Sequence, residues 1–201
     1  MGKLIVDEFM TLDGVAQSPG QPDEDRDGGF RHGGWHASFL DPEAGKAGFE
    51  RAQSMDALLL GRRTYDVFAG FWPTAPEEMP FTGLLNGVPK YVASRTLTEP
   101  SWQGTTLLAQ PVEESVAALK ERHEEVHVIG SLNLVQQLLR AGLVDRLDLL
   151  VDPLVLGTGK KVFGDGMPPT ALRLVDSTAY ANGMLHLAYE PTGAPTYGTI
   201  G

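Results

Sequence analysis

Three short segments set chemistry-bearing residues just past an apolar run. Leu60-Gly61-Arg62-Arg63-Thr64-Tyr65 places a glycine, two arginines and a hydroxyl between a strand and a helix. A helix N-terminus leaves backbone N–H groups unpaired and carries the positive end of the peptide dipoles, which suits phosphate. Arginine adds forked cationic donors. Ala93-Ser94-Arg95-Thr96 sets two hydroxyls around an arginine past another strand, and Ile129-Gly130-Ser131-Leu132-Asn133 again reads as strand, glycine turn and helix start. On parallel strands all three fall on the carboxyl edge, where open α/β sheets bind ligands. Each segment alone has a plain reading as a capped or solvated turn, and their order carries the argument.

A second group of residues suits a ring-shaped ligand. Asp13 can accept hydrogen bonds from a heterocycle or simply serve the Asp13-Gly14 turn. Trp35, in Gly33-Gly34-Trp35-His36, can stack on a ring or fold back onto the domain. Phe71 ends a helix, where an aromatic meets either ligand or core. No residue stands out as proton donor, and the catalytic residue is left unassigned.

Other motifs fail on spacing. Asp23-Glu24-Asp25-Arg26-Asp27-Gly28 imitates the start of a calcium loop, but its twelfth position is Gly34 where a bidentate glutamate is needed. His32 and His36 have two glycines between them, which disfavour the helix that would aim both at one metal. Gly157-Thr158-Gly159-Lys160 lacks the spacing of a phosphate loop. No metal site is expected.

The elements that position these residues alternate. Lys3–Met10 suits a central strand, and a long Gly-, Pro- and Asp-rich loop follows through Gly34. Asp41-Pro42-Glu43 opens a helix with an N-cap, a proline and an acid in the first turn. Ala57–Gly61 is a buried strand, with Thr64 as cap of the helix carrying Val67, Phe68 and Phe71. Pro89–Ala93 and Thr105–Ala109 are further strands. A helix opens at Pro111 and closes near Lys120 and Arg122, Val126–Gly130 is a strand, and Ser131 caps a helix bearing Leu134, Val135, Leu138 and Leu139. Val144–Val151, Ala171–Thr178 and Met184–Tyr189 alternate as antiparallel strands with one covered face do. The order of β/α units followed by strands describes an α/β protein with a mixed sheet flanked by helices. Residues 1–190 read as one domain and 191–201 as a flexible tail.

With 201 residues, 42% hydrophobic and 21% charged, the chain suits a single well-cored domain. It has no cysteine and no signal-like or membrane-spanning apolar run, so a cytoplasmic protein is expected. Its formal charge of −10 speaks against a nucleic-acid surface and makes the few clustered arginines matter.

The chain resembles the dihydrofolate reductase superfamily, in the branch similar to the reductase domain of bacterial riboflavin biosynthesis (the RibD C-terminal domain). The resemblance covers residues 3–190. It rests on Thr11-Leu12-Asp13-Gly14, Asp56–Tyr65, Lys90–Leu97, Ile129-Gly130-Ser131, Gly142-Leu143-Val144-Asp145 and Pro153–Lys160. It implies a three-layer fold with a mostly parallel central sheet and antiparallel strands near the C-terminus. It also implies NADPH, with Gly61, Arg62, Arg63 and Thr64 at the phosphates and Ser94, Arg95 and Thr96 at the adenosine ribose and its 2′-phosphate. Gly130, Ser131 and Leu132 would approach the pyrophosphate, and the nicotinamide would lie by the first strand and the turn after Asp13. Asp13, Trp35 and Phe71 would contact a small pteridine-, pyrimidine- or ribosylamine-like substrate. Two readings follow: a reductase, or a non-catalytic nucleotide-binding protein on the same fold. A homodimer is expected by the same resemblance. Relatives carry two glycines where this chain has Gly130-Ser131, and there the intervening peptide can be cis. The acid that folate-reducing members carry on the first helix has no secure match here.

Overall fold

The computed structural model describes residues 1–200. Its centre is one eight-stranded sheet of order β4-β3-β2-β5-β1-β6-β8-β7. The strands are β1 (Lys3–Thr11), β2 (Ala57–Gly61), β3 (Lys90–Ala93), β4 (Thr105–Leu107), β5 (Glu125–Ile129), β6 (Arg146–Asp152), β7 (Ala171–Ala179) and β8 (Leu185–Gly193). β1 to β6 run parallel, while β8 pairs antiparallel with β6 and with β7. This is the mixed, mostly parallel sheet expected of a dihydrofolate-reductase-like fold.

Five helices cover the sheet: α1 (Pro42–Ala52), α2 (Arg62–Phe71), α3 (Pro80–Gly87), α4 (Val112–Arg122) and α5 (Leu132–Arg140). Because strand side chains alternate between faces, the apolar core divides in two. Leu4, Val6, Leu59, Val126, Val128, Leu147 and Leu149 pack against Val116 and Leu119 of α4 and Val135 and Leu138 of α5. On the other face Leu58, Leu60 and Val92 pack against Tyr65, Leu85 and Trp102. Each such fully buried aliphatic side chain contributes about 1.5–3 kcal/mol.

α1 begins as its sequence dictates. The Asp41 carboxylate accepts from the N–H groups of Glu43 (2.9 Å) and Ala44 (3.0 Å), and Pro42 stands in the first turn. α2 and α5 do not. Gly61, not Thr64, occupies the N-cap position of α2, and no side chain caps it. Ser131 does hold the N-cap position of α5, but its hydroxyl makes no capping bond.

Other expectations shift. α3 was not foreseen, and β4 stops at Leu107 rather than Ala109. β8 continues through Pro191, Thr192 and Gly193, paired with Ala171 and Leu172, so the domain runs past residue 190. β7 has no covered face: eight of its nine residues, all but Ala171, are exposed.

Candidate functional site

β3, β2 and β5 end side by side, because Gly61 registers with Ala93 and Leu59 with Val128. The three segments singled out in the sequence therefore adjoin. Connections leave this point in opposite directions, from β2 outward to β3 and from β5 across β1 to β6. Such a switch point opens a crevice at the carboxyl edge.

The crevice is tied together by one hydroxyl. Ser131 Oγ accepts from the Gly61 N–H at 2.9 Å, joining the start of α5 to the start of α2. Gly130 and Ser131 both take left-handed conformations, at φ 60° and 66°, and the peptide between them is trans. For serine that conformation is uncommon and costs on the order of 1–3 kcal/mol. Space at 130 is also tight, since a Cβ there would lie 3.3 Å from Thr64 Cγ2. The Leu132 side thus begins a helix whose first N–H groups face the crevice without a side-chain cap. Beside it, Ser94 Oγ accepts from the N–H groups of Thr96 (3.1 Å) and Leu97 (2.9 Å), which shapes the turn that carries Arg95. Arg95 is exposed and forms no ion pair among the described residues.

Arg62 and Arg63 are already engaged. Arg62 Nε bonds both carboxylate oxygens of Asp66, at 2.8 and 2.7 Å, one turn along α2. Arg63 pairs with Asp27 and lies 3.4 Å from Asp25. Lys160 Nζ joins the same two acids, at 2.5 Å to Asp25 and 3.0 Å to Asp27. The Asp27 carboxyl is held below its usual range by the hydrogen bonds from Arg63 and Lys160.

The loop that carries these acids is internally bonded. Gln17 Nε2 donates to the carbonyls of Asp25 and Asp27 at 3.1 Å, while its Oε1 accepts from Lys160 N–H at 3.0 Å. Trp35 is buried with Val15 and Phe30, and its indole N–H donates to the Gln17 carbonyl at 2.8 Å. In this structure it is a pillar of the loop rather than a free stacking face.

Asp13 and Phe71 also have neighbours within the protein. Asp13 accepts from Thr11 Oγ1 (2.6 Å) and from the N–H groups of Leu156 (3.2 Å) and Gly157 (2.8 Å), and these bonds, the one from Thr11 foremost, lower its pKa. It fastens the end of β1 to the 153–160 segment. Phe71 lies at the C-terminal end of α2, about 13 Å along the axis from Arg62. It is exposed and packs edge-on against Trp72.

The structure adds a group that the sequence reading missed. On the face of β1 opposite Leu4 and Val6, Asp7 Oδ2 stands 2.7 Å from His127 Nδ1 of β5. Next to it, Asp148 of β6 accepts one hydrogen bond from Arg146 Nη2 at 2.8 Å, with Arg146 Nε 2.7 Å from its other oxygen, and makes one contact of 2.8 Å with His186 of β8. Nearer the edge, His36 packs on Phe9 with ring centroids 4.2 Å apart and places Nδ1 2.9 Å from Oδ2 of the buried Asp152. The signal was a charged or imidazole residue at alternate positions of otherwise apolar strands, as in Leu-Ile-Val-Asp7 and Val-His127-Val. Among the described residues no cluster of ligands suits a metal, and no helix is long and apolar enough to cross a membrane.

A family model described as RibD C-terminal domain matches residues 2–186. The uncharacterized protein YyaP of Bacillus subtilis (strain 168) is 26% identical over 194 residues, covering 95% of this chain and 96% of the relative. Solved structures agree in fold. A putative riboflavin biosynthesis protein from a Shewanella species superposes with TM-score 0.69 at 22% identity, over 94% of this chain and 99% of that one. A pyrimidine reductase-like protein from Corynebacterium diphtheriae gives TM-score 0.66 at 15% identity, over 94% and 92%. A diaminohydroxyphosphoribosylaminopyrimidine deaminase/5-amino-6-(5-phosphoribosylamino)uracil reductase from Thermotoga maritima gives 0.62 at 16% identity, over 94% of this chain and 56% of that chain.

Proposed function

This chain belongs to the RibD C-terminal domain family, and from that membership we propose that it is an NADPH-dependent reductase of a small pteridine-, pyrimidine- or ribosylamine-like substrate. The observation that carries the reading is the pair of helix N-termini, α2 and α5, neither capped by a side chain and joined by the Gly61–Ser131 bond. Two uncapped helix starts facing one crevice hold a diphosphate with backbone N–H groups and dipoles. Arg95, between the hydroxyls of Ser94 and Thr96, suits a further phosphate on the adenosine ribose and so favours NADPH over NADH. When bound, the nicotinamide supplies the hydride, and the protein supplies position and field.

Titration with NADPH and NADH, followed by fluorescence, tests this. Micromolar NADPH binding and weaker NADH binding are expected. Arg95→Ala should weaken NADPH by about 10–100-fold, the worth of one charge-assisted contact, and leave NADH nearly unchanged. Absence of NADPH binding to the wild-type protein would remove the reading.

A binding protein without turnover is the second reading. It is favoured by the internal engagement of Asp13 and Trp35, and inactivity toward a panel of aminouracils and pteridines despite tight NADPH binding would establish it. We assign the homodimer to the exposed strand β7, where Leu172, Leu174 and Val175 are uncovered. Sedimentation should give a dimer for the wild-type protein and a monomer for Leu174→Lys; a wild-type monomer would refute it.

A further inference from the structure

The polar strip beside β1 is not needed to hold a dinucleotide, yet it is built with care. It runs between two apolar patches on one face of the sheet. On one side Leu58 and Leu60 of β2 are covered by Tyr65 and Leu85; on the other, Leu150 of β6 packs with Ala44, Tyr180 and Met184. α1 crosses from one patch to the other, since Ala44 belongs to the second and Ala52 to the first. Its charged residues turn away: Lys46 pairs with Glu50, both well exposed.

Within this strip the groups differ in access. His127 is buried, as are Asp148 and His186, whereas the Asp7 side chain retains 31% of its accessible surface. Asp7 is therefore the end of the network that a ligand reaches. Phe9 follows it on the same face of β1, toward the carboxyl edge, and Ile129 registers beside it on β5. A carboxylate with an aromatic and an aliphatic neighbour suits the edge and faces of a flat ring.

The neighbours bias His127 toward its protonated form. Burial alone would lower the His127 pKa, but the hydrogen bond and charge of Asp7, with Glu125 behind, outweigh it and raise it. On the far side Arg146 and Asp148 neutralise one another, with His186 and Asp176 beyond. Only one oxygen of Asp7 is taken by His127, so the other can accept from a ligand.

We propose that Asp7, oriented by His127, is the carboxylate that docks the substrate ring through its N–H donors. The substrate class is then a heterocycle whose edge offers two adjacent N–H groups, as an aminopyrimidine does once its ring nitrogen is protonated by or beside the carboxylate. The assignment rests on the reductase reading, and it places the orienting acid on the first strand of the sheet, not on the first helix. His127 is a positioning residue that acts through Asp7.

The test titrates the folded protein, with and without NADPH, using 2,4-diaminopyrimidine as probe and unsubstituted pyrimidine as control. Wild-type protein should bind the diamino probe in preference to the control. Asp7→Asn should weaken it by about 10–100-fold with NADPH affinity and melting temperature retained. His127→Gln, which keeps a donor toward Asp7, should hold probe affinity within about threefold, while His127→Leu should lose about tenfold. In nitrogen NMR the His127 ring signals should move on probe addition, which a purely structural pair would not show. Equal probe affinity in wild type and Asp7→Asn, or no preference for the diamino probe in the wild type, would overturn the proposal. Failure of NADPH binding alone would remove the cofactor reading and leave the probe result legible.

Discussion

Asp148→Ala should lower stability by about 3–5 kcal/mol, the usual cost of stranding a buried charge whose partner has been removed. Here two partners would be stranded, since Arg146 and His186 both bond this one carboxylate. For a chain of this size about 1 kcal/mol moves the melting temperature by 2–4 °C, so a fall of about 6–20 °C is expected. The sign of the pH dependence follows from the same contacts. Burial would raise the Asp148 pKa, but the hydrogen bond from His186 and the bond and charge of Arg146 outweigh it and lower it. A carboxyl with a depressed folded pKa stabilises the fold above its unfolded value and loses that contribution as pH falls through the folded one. The wild type should therefore lose stability steeply in acid, and Asp148→Asn, which keeps the shape, should show a flatter acid limb. Thermal melts across the acid range measure both. An unchanged acid limb in Asp148→Asn would show that the network contributes nothing through charge.

Gly159→Ala should be the second severe change. Gly159 has φ +121°, a conformation that side-chain-bearing residues rarely adopt, and an added Cβ would lie 2.7 Å from Val15 Cγ1 and 2.8 Å from Phe30 Cε2. Backbone strain and overpacking each cost about 1–3 kcal/mol, so a loss of about 2–6 kcal/mol is expected. The damage should fall on the loop, because Val15, Phe30 and Trp35 form the small apolar cluster that anchors it. Limited proteolysis between residues 20 and 29 should accelerate well before the domain melts. Gly157→Ala is the comparison: its φ is +74°, but nothing lies within 4 Å of the added Cβ. It should cost about 1 kcal/mol and leave proteolysis of the loop unchanged. Equal effects of the two substitutions would mean that the cluster does not hold the loop.

What the sequence made legible follows from which forces act locally. Apolar periodicity and helix punctuation depend on near neighbours, so most β/α units and the shift to late antiparallel strands could be read directly. The convergence of the turns at Gly61, Ser94 and Ser131 also followed, because strand ends carry them whatever the loops do. The roles of the hydroxyls did not. Thr64 and Ser131 have the composition of caps, but Ser131 spends its oxygen on Gly61, seventy residues away. Asp13 and Trp35 looked available because their partners, Leu156, Gly157 and Gln17, come near only through the fold. α3 was hidden for a local reason, since Pro80–Gly87 holds two glycines and an asparagine and takes its order from Leu85 in the core. Asp7 and His127 read as interruptions of apolar strands, and only the register of β1 against β5 reveals that they interrupt them together.

The contact of Arg63 and Lys160 with Asp25 and Asp27 bears on how an anion could enter. These cations are not unpaired; each already has a carboxylate from the long loop. A phosphate that takes the Arg63 Nη1 now held by Asp27 would compete with that carboxylate, so arrival there would exchange one anion for another. The freed aspartates, repelled by the newcomer, would loosen their hold on the loop. Anion binding and the hold on the loop would then be linked, and in a chain with ten excess negative charges these two cations are kept paired at the crevice while Arg95 stands free of ion pairs among the described residues.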